Sequence, residues 1–286
     1  MIADYADPVD VASMAVRFFH FEKTPVALRA GLDAEQFATQ SASLAGVTVQ
    51  AAAQMRAEMA TTVADAAAEL AGRPAVRSAM AEVPFARGDV IVALGDSITD
   101  DLLSWAYQLE RVLDLLRPDL ALRVVNHGIT GHTTQEAISR FDLVAAARPA
   151  WIIQLLGTND ARRHGSARLT TTSLDETKRN LGVIRRFVET DTHAQLIVMT
   201  PPPADQAAIE RWAPFHEQQI TWLAEDIDGV AALVRDSPGQ VVDIHGLLSA
   251  SASQLLLPDG LHPNLLGQQQ IAEAVLLALP DAQRRP

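Results

Sequence analysis

The chain has 286 residues, of which 48% are hydrophobic and 20% are charged, a composition typical of a globular protein. Its formal net charge of −12 disfavours nucleic acid or an anionic membrane surface as a partner, because phosphate groups repel an acidic protein. Cysteine is absent, which excludes disulfides, thiolate nucleophiles and cysteine-ligated metals.

We find neither a signal peptide nor a membrane-spanning run in the sequence. The first ten residues, MIADYADPVD, are acidic and lack the basic and apolar regions of a signal peptide. No apolar run approaches the roughly 18 residues of a membrane span. We therefore expect a cytoplasmic protein without a membrane span. The basic run of Arg162, Arg163 and His164 is expected to be a solvated loop and not a nucleic-acid site.

Residues 1–85 are predicted to form a helical N-terminal extension. The stretch 11–21 is typical of a helix. Over 51–72, apolar residues recur three or four positions apart, which predicts one long helix with an apolar face. Gly72 and Pro74 are expected to end it, as a C-terminal glycine followed by a proline does.

The purpose of this extension is left open by its sequence. It could cover a site as a lid, form the seam of a homo-oligomer or brace the rest of the chain, and we favour packing against the rest of the chain. His20 is expected to be a packed or exposed helix residue and not a metal ligand.

Residues 86–286 are predicted to form an α/β domain, which follows a linker at 82–88. Short apolar runs alternate there with amphipathic helical segments, one of which begins at Ser173 with a capping box to Glu176. The predicted strands are five: 90–94, 122–126, 151–157, 195–200 and 241–244. Continuous apolar strands that alternate with helices predict a parallel sheet with helices on both faces.

Polar residues follow these predicted strands. They are Gly95, Asp96 and Ser97 after the first strand, Asn126, His127, Gly128 and Gly131 after the second, Gly157, Asn159 and Asp160 after the third, and Asp259 and His262 in a loop beyond the fifth. Open parallel sheets bind their ligands at the carboxyl ends of the strands. The sequence therefore predicts an active site at this edge of the sheet.

The residue types at this edge suit nucleophilic catalysis. Ser97 can attack a carbonyl carbon if a base removes its proton, and His262 is the usual kind of base near neutral pH. Asp259, three residues before His262, can fix the imidazole tautomer. The backbone N–H groups of Ser97 and Gly128 and the side-chain amide of Asn159 are predicted to form the oxyanion hole.

The motifs GDS, N-x-G, G-x-N-D and D-x-x-H occur in this order, and over about residues 89–280 the chain resembles the SGNH (GDSL-type) hydrolase family. The resemblance implies a three-layer αβα sandwich similar to flavodoxin. It also implies hydrolysis of carboxylic esters or thioesters, often acetyl groups on sugars. The same roles carry over residue by residue: nucleophile Ser97, oxyanion donors Gly128 and Asn159, and the pair Asp259 and His262.

The predicted function is therefore a serine esterase that forms an acyl-enzyme intermediate. Its expected substrates are short-chain or acetyl esters of small molecules or carbohydrates, and no cofactor is predicted. His132 stands where relatives often carry a small acidic or amide residue. It is predicted to contact the substrate, as are Asp96 and Trp212.

Three other kinds of function compete with this prediction. An acyltransferase or thioesterase would use the same triad. A metal-dependent phosphoesterase would draw on possible ligands: Asp96, Asn126, His127, Asp160 and His262. We expect no metal site, because that chemistry needs more clustered Asp and His pairs and would leave Ser97 without a role. A non-catalytic scaffold is disfavoured by the complete triad.

Overall fold

A computed structural model describes residues 8–31 and 33–282 of the chain. Before the first strand, these residues form five α-helices: α1 (Pro8–Phe18), α2 (Pro25–Ala30), α3 (Ala34–Leu44), α4 (Val49–Gly72) and α5 (Pro74–Ala81). Within the described ranges, no helix combines the length and the apolar character needed to cross a membrane.

The long N-terminal helix is the predicted one. Thr48 caps the start of α4 by accepting the N–H of Ala51, and the helix ends at Gly72. Pro74 follows this helix, as predicted, and also occupies the first turn of α5. Proline suits that position, since its fixed φ is helical and the N–H that it lacks has no partner there.

The strands comprise the five predicted ones and three shorter ones: β1 (Val90–Gly95), β2 (Arg123–Gly128), β3 (Trp151–Leu155), β4 (Arg162–His164), β5 (Leu169–Thr170), β6 (Gln195–Met199), β7 (Ile220–Trp222) and β8 (Gln240–Val242). The predicted five form one parallel sheet in the order β2-β1-β3-β6-β8. In this register Gly95 pairs with Gly128 on one side and with Leu155 on the other. The carboxyl ends of the first three strands therefore meet, as the sequence predicted.

The helices after β1 are mostly connections between strands: α6 (Ser97–Asp100), α7 (Trp105–Leu116), α8 (Thr134–Ser139), α9 (Phe141–Ala146), α10 (Leu174–Phe187), α11 (Gln206–Arg211), α12 (Ala213–Glu217), α13 (Ala224–Arg235), α14 (Ile244–Ser249), α15 (Ala252–Leu255) and α16 (Leu265–Ala278). Ser173 caps α10 as predicted. The Glu176 side chain instead pairs with Arg179, so only one half of the expected capping box forms.

Both faces of the central sheet are covered by helices. Ile91 and Ala93 of β1 belong to a core with α5, α7 and α16, whereas Val92 and Leu94 pack toward α8, α9 and α10. Alternate residues of a strand point to opposite faces, so a strand buried on both faces is apolar throughout. The architecture is the predicted three-layer α/β arrangement, with the helix α4 lying against α7.

A second, antiparallel sheet in the order β5-β4-β7 was not predicted. It contains Arg162, Arg163 and His164, so the expectation of a solvated loop there is wrong. The Arg163 guanidinium donates two hydrogen bonds to Asp226, at 2.6 and 2.8 Å. The indole N–H of Trp222 donates to the carbonyl of Thr158 (2.9 Å) and so connects this sheet to the loop after β3.

Candidate active site

The turn between β1 and α6 presents Ser97 at the carboxyl end of the sheet. Asp96 caps α6 by accepting the N–H of Ile98 (3.0 Å), and Ser97 is the first residue of that helix. A Cβ atom on Gly95 would lie 2.1 Å from Thr99 Oγ1. The strand therefore turns into the helix without room for any side chain at position 95.

His262 approaches Ser97 from the loop that precedes α16. Ser97 Oγ donates to His262 Nε2 (2.9 Å), and His262 Nδ1 donates to Asp259 Oδ2 (2.7 Å). The other carboxylate oxygen, Asp259 Oδ1, accepts the backbone N–H groups of Leu261 (2.8 Å) and His262 (3.0 Å). Both carboxylate oxygens are thus engaged, which fixes the carboxylate and orients the imidazole.

Charges around the imidazole favour its protonated form. Burial lowers the pKa of His262, but the carboxylate of Asp259, helped by Asp101 and Asp96, outweighs this effect and holds the pKa above its ordinary value. Burial raises the pKa of Asp259, but the His262 charge and the donated hydrogen bonds bring it below its ordinary value. The pair can therefore accept a proton on the imidazole while the carboxylate stays ionised.

The serine and the histidine are both largely buried. Ser97 is only 6% exposed, and the side chain of His262 is 15% exposed. A hydroxyl and an imidazole with so little exposure are shielded from bulk water, which strengthens every electrostatic interaction between them.

Two of the three predicted oxyanion donors, Ser97 and Asn159, each have an N–H that no other group in the described residues accepts. The N–H of Ser97 lies in the first turn of α6, where a helix has no internal acceptor for it. Asn159 Nδ2 donates one hydrogen to the carbonyl of His132 (3.2 Å), which leaves its second N–H for another acceptor.

The third predicted donor needs a correction. The N–H of Gly128 donates to the side-chain oxygen of Asn126 (2.8 Å), so it is not available to an oxyanion in this structure. Glycine is required at this position for packing instead, since a Cβ atom there would lie 2.4 Å from the backbone nitrogen of Asp100.

Gly131 lies beside the amide of Asn159. The next residue along the chain, His132, accepts the Asn159 amide hydrogen. Arg162 Nη1 lies 3.3 Å from Asn159 Oδ1 and would lie 3.8 Å from a Cβ atom on Gly131. Gly131 has a φ of +83°, a conformation that glycine adopts readily. Among the described residues, its N–H has no assigned acceptor.

The three residues predicted to contact the substrate have different surroundings. Asp96 is completely buried, which raises its pKa to about 7, and its role in the structure is the cap of α6. The Nδ1 atom of His132 accepts a hydrogen bond from Arg140 (3.2 Å), so its Nε2 carries the proton. Trp212 lies at the start of α12. Contact of these side chains with a substrate stays a prediction.

The candidate metal ligands of the phosphoesterase alternative serve other purposes. Asn126 donates to the carbonyl of Thr99 (2.6 Å), and Asp160 accepts hydrogen bonds from Thr134 and Thr177. Across residues 8–31 and 33–282, no three or more His, Cys, Asp and Glu side chains are grouped so that they could hold a metal ion.

Two arginines near the site were not predicted. Arg140 is completely buried and donates to the carbonyl of Gly95 (3.1 Å) and to His132. Arg162 donates to Asn159 Oδ1 and thereby orients the amide nitrogen. Only the position of Arg162, three residues after Asn159, could have indicated its role, since the burial of an arginine leaves no pattern in the sequence.

Comparison with known proteins agrees with this geometry. The sequence model of the GDSL-like lipase/acylhydrolase family matches residues 93–270. An acetylxylan esterase of Geobacillus stearothermophilus is 26% identical over 211 residues, which are 66% of this chain and 93% of that protein.

Solved structures extend the likeness to the fold. An alpha/beta hydrolase enzyme from the metagenome of Lake Arreo, Spain, is 25% identical, with a TM-score of 0.53 over 68% of this chain and 96% of its own. A catalytic mutant of the Geobacillus stearothermophilus acetylxylan esterase is 22% identical, with a TM-score of 0.52 over 68% of this chain and 95% of its own.

Proposed function

Because the chain belongs to the GDSL-like lipase/acylhydrolase family and is a carboxylic ester hydrolase, we propose that it cleaves short-chain esters through an acyl-enzyme on Ser97. The observation that carries this proposal is the pair of hydrogen bonds that joins Ser97 Oγ to His262 Nε2 (2.9 Å) and His262 Nδ1 to Asp259 Oδ2 (2.7 Å). This arrangement can remove the serine proton and stabilise the imidazolium that results.

In the acylation step, Ser97 Oγ attacks the ester carbonyl carbon and its proton passes to His262 Nε2. The carbonyl oxygen becomes an oxyanion, and the tetrahedral intermediate then collapses. The bond to the alcohol oxygen breaks as the imidazolium of His262 returns the proton to that oxygen. The alcohol leaves, and the acyl group remains on Ser97 as an ester.

Deacylation repeats these steps with water. His262 takes a proton from a water molecule, whose oxygen attacks the acyl carbon. The proton is then delivered to Ser97 Oγ as the acyl–serine bond breaks. A carboxylic acid is released, and Ser97 and His262 return to their starting states. Asp259 stays ionised throughout, in keeping with its lowered pKa.

Three donors are proposed for the oxyanion: the N–H groups of Ser97 and Gly131 and the side-chain amide of Asn159. Gly131 takes the place predicted for Gly128, because the Gly128 N–H is already donated to Asn126. Preorganised donors of this kind stabilise the charge that develops in the transition state.

Acetyl esters of small molecules or carbohydrates are the substrates that we propose. The low exposure of Ser97, 6%, favours a short acyl group. A relative covered over 93% of its length is named an acetylxylan esterase, and structures of its catalytic mutants replace a serine, an aspartate or a histidine by alanine. The cytoplasmic location and the absence of a nucleic-acid partner stay predictions.

The test is hydrolysis of 4-nitrophenyl acetate by the wild type and by Ser97→Ala, each with and without a chelator. We expect turnover that survives the chelator and is lost in the variant. Acetylated xylose and esters of longer acids then define the alcohol and acyl preferences. Turnover that persists in Ser97→Ala would contradict the proposed nucleophile.

A further inference from the structure

The end of α1 and the residues after it lie against the active site. We call residues 17–23 the N-terminal strap. The strap is outside the part of the chain that the family model matches, residues 93–270. Its polar and aromatic side chains contact the helix α6, which begins with Ser97, and the imidazole of His262.

The first anchor of the strap is a buried ion pair. Arg17 Nε and Nη2 donate to the two carboxylate oxygens of Asp101, at 2.6 and 2.7 Å. The Asp101 side chain is 0% exposed, and its Oδ2 also accepts a hydrogen bond from Gln268 (3.2 Å). The carbonyl of Arg17 accepts the N–H of Leu102 (3.1 Å). Bidentate arginine–carboxylate pairs fix both distance and orientation, so the strap is held rigidly at the end of α6.

The second anchor is Asp100, the last residue of α6. Its Oδ1 accepts hydrogen bonds from His20 Nδ1 (2.7 Å) and from Lys23 Nζ (2.6 Å). Its Oδ2 accepts the backbone N–H of Thr130 (3.0 Å), and the Thr130 hydroxyl in turn donates to the carbonyl of Phe18. The Asp100 side chain is 1% exposed, so losing either strap donor would remove a partner from a buried carboxylate.

Between these two anchors, Phe18 packs on the catalytic imidazole. The centres of the two rings are 4.8 Å apart, with an angle of 46° between the ring planes. Phe18 is 4% exposed, and the guanidinium of Arg17 lies 4.9 Å from the centre of its ring. The next residue, Phe19, is 62% exposed. Only the first of these two neighbouring phenylalanines therefore contacts the site.

We propose that Phe18, alone among the strap residues, is a positioning residue that holds the His262 imidazole between Asp259 and Ser97, and that the two anchors hold Phe18 in place. This inference rests on the proposed function of Ser97 and His262. The hydrogen bond to Asp259 fixes one edge of the imidazole, but it leaves the ring free to rock about that bond. The ring of Phe18, packed against the imidazole at a tilt, restricts this motion. Misplacement of a catalytic group by about 1 Å can cost on the order of 100-fold in rate.

The experiment compares Phe18→Ala and Phe18→Leu with the matched control Phe19→Ala. The acylation rate and the KM for 4-nitrophenyl acetate are measured for each protein, with thermal unfolding to establish that it is folded. We expect Phe18→Ala to slow acylation by about 10- to 100-fold while KM stays within about threefold. Phe18→Leu, which keeps an apolar side chain in place, is expected to recover part of the rate. Phe19→Ala should match the wild type.

A second measurement does not depend on turnover. The Nδ1 proton that His262 donates to Asp259 gives a far-downfield proton resonance while the ring is held. We expect this resonance in the wild type and in Phe19→Ala, and its broadening or loss in Phe18→Ala. Folded Phe18 variants with wild-type acylation and an unchanged resonance would overturn the positioning role. An unreactive wild type whose resonance still depends on Phe18 would overturn the proposed function and would still support the positioning of the imidazole by Phe18.

Discussion

Ser97 and His262 act as one unit in the proposed reaction, because the proton that leaves one is taken by the other. Replacing either residue by alanine is expected to reduce kcat by about 10⁴-fold or more. The double variant should be little worse than either single variant, since the first substitution already removes the whole function of the pair. Steady-state kinetics of the three variants test this, and losses that multiply would show that the two residues act independently.

Asp259 sets the pH at which this unit works. His262 must be neutral to accept the serine proton, and its pKa is held above the ordinary value of about 6.5. The quantity kcat/KM should therefore fall as the pH drops through a value above about 6.5. Asp259→Asn removes the charge that raises this pKa, so the acid limb should move to lower pH. The maximal rate should drop by about 10³- to 10⁴-fold.

The control for this pH profile is Asp226→Asn, since Asp226 pairs with Arg163 and not with His262. We expect its acid limb to coincide with that of the wild type. An acid limb that stays in place in Asp259→Asn would mean that another group sets the pKa of the imidazole.

Asn159 is expected to contribute mainly to the transition state. Asn159→Ala should lower kcat by about 10²- to 10³-fold with little change in KM, because its free N–H meets the oxygen only once negative charge develops there. Asn180→Ala is the matched control, because Asn180 is also buried but donates to Thr134 Oγ1. The control should lose stability and keep its turnover. Equal kinetic effects in the two variants would argue against Asn159 as an oxyanion donor.

The sequence could indicate that Ser97, Asp259 and His262 meet at one place and could not indicate what surrounds them. Ser97, Asp259 and His262 follow strands or a short loop motif, and their chemistry is evident from residue type. The sequence could not show whether Gly128 or Gly131 is the better candidate for the oxyanion donor. That depends on which of the two backbone N–H groups already donates to a neighbouring side chain. In this structure the N–H of Gly128 donates to the side-chain oxygen of Asn126.

The contribution of the N-terminal strap was also beyond the sequence. Phe18 and Arg17 lie about 80 positions or more from the residues that they contact, such as Asp101. Contacts over that separation are set by how α1 packs, and a single sequence carries no pattern for them.

Helix α6 lies so close to β1 and β2 that two positions at the strand ends have no room for a side chain. A Cβ atom would lie 2.1 Å from Thr99 Oγ1 at Gly95, and 2.4 Å from the backbone nitrogen of Asp100 at Gly128. Gly95→Ala and Gly128→Ala are each expected to destabilise the fold by about 1–3 kcal/mol or more, the usual cost of overpacking. Chemical denaturation measures this.

Gly182→Ala is the control for these substitutions. Gly182 lies inside α10, and nothing is within 4 Å of the position of its Cβ atom. Alanine there should stabilise the protein by about 0.5–1 kcal/mol, because it restricts the unfolded chain and favours the helix. Stability of the Gly95 and Gly128 variants equal to that of Gly182→Ala would contradict the close packing of α6.

Long, continuous patterns were predicted well, and short ones were missed. Strands β1 and β3 are largely apolar runs that are buried along almost their whole length, so they stand out between amphipathic helices. Strands β4, β5 and β7 have two or three residues each, too few for an alternation to appear. Their pairing is set by long-range contacts such as that of Trp222 with Thr158.

For the whole molecule, the question is whether residues 1–85 are a separable extension, as the predicted domain boundary implies. The main hydrophobic core crosses that boundary, since Leu70 of α4 and Met80 of α5 are buried in one cluster with residues of α7 and α16. Polar contacts cross it too: Gln269 donates to the carbonyl of Ala66 (3.2 Å), and Arg73 pairs with Glu273 (2.5 Å).

Two truncations separate the contributions of this region. A chain that begins at residue 86 loses α4 and α5, exposes the apolar surfaces of α7 and α16, and is expected to aggregate. A chain that begins at residue 47 keeps α4 and α5 and lacks the strap. It should remain soluble and unfold cooperatively at a lower temperature, but acylate slowly, because Phe18 and Arg17 are gone. Solubility, thermal unfolding and the acylation rate distinguish the two. A soluble 86–286 fragment with the Tm and turnover of the full chain would make the N-terminal region an independent appendage and contradict the shared core.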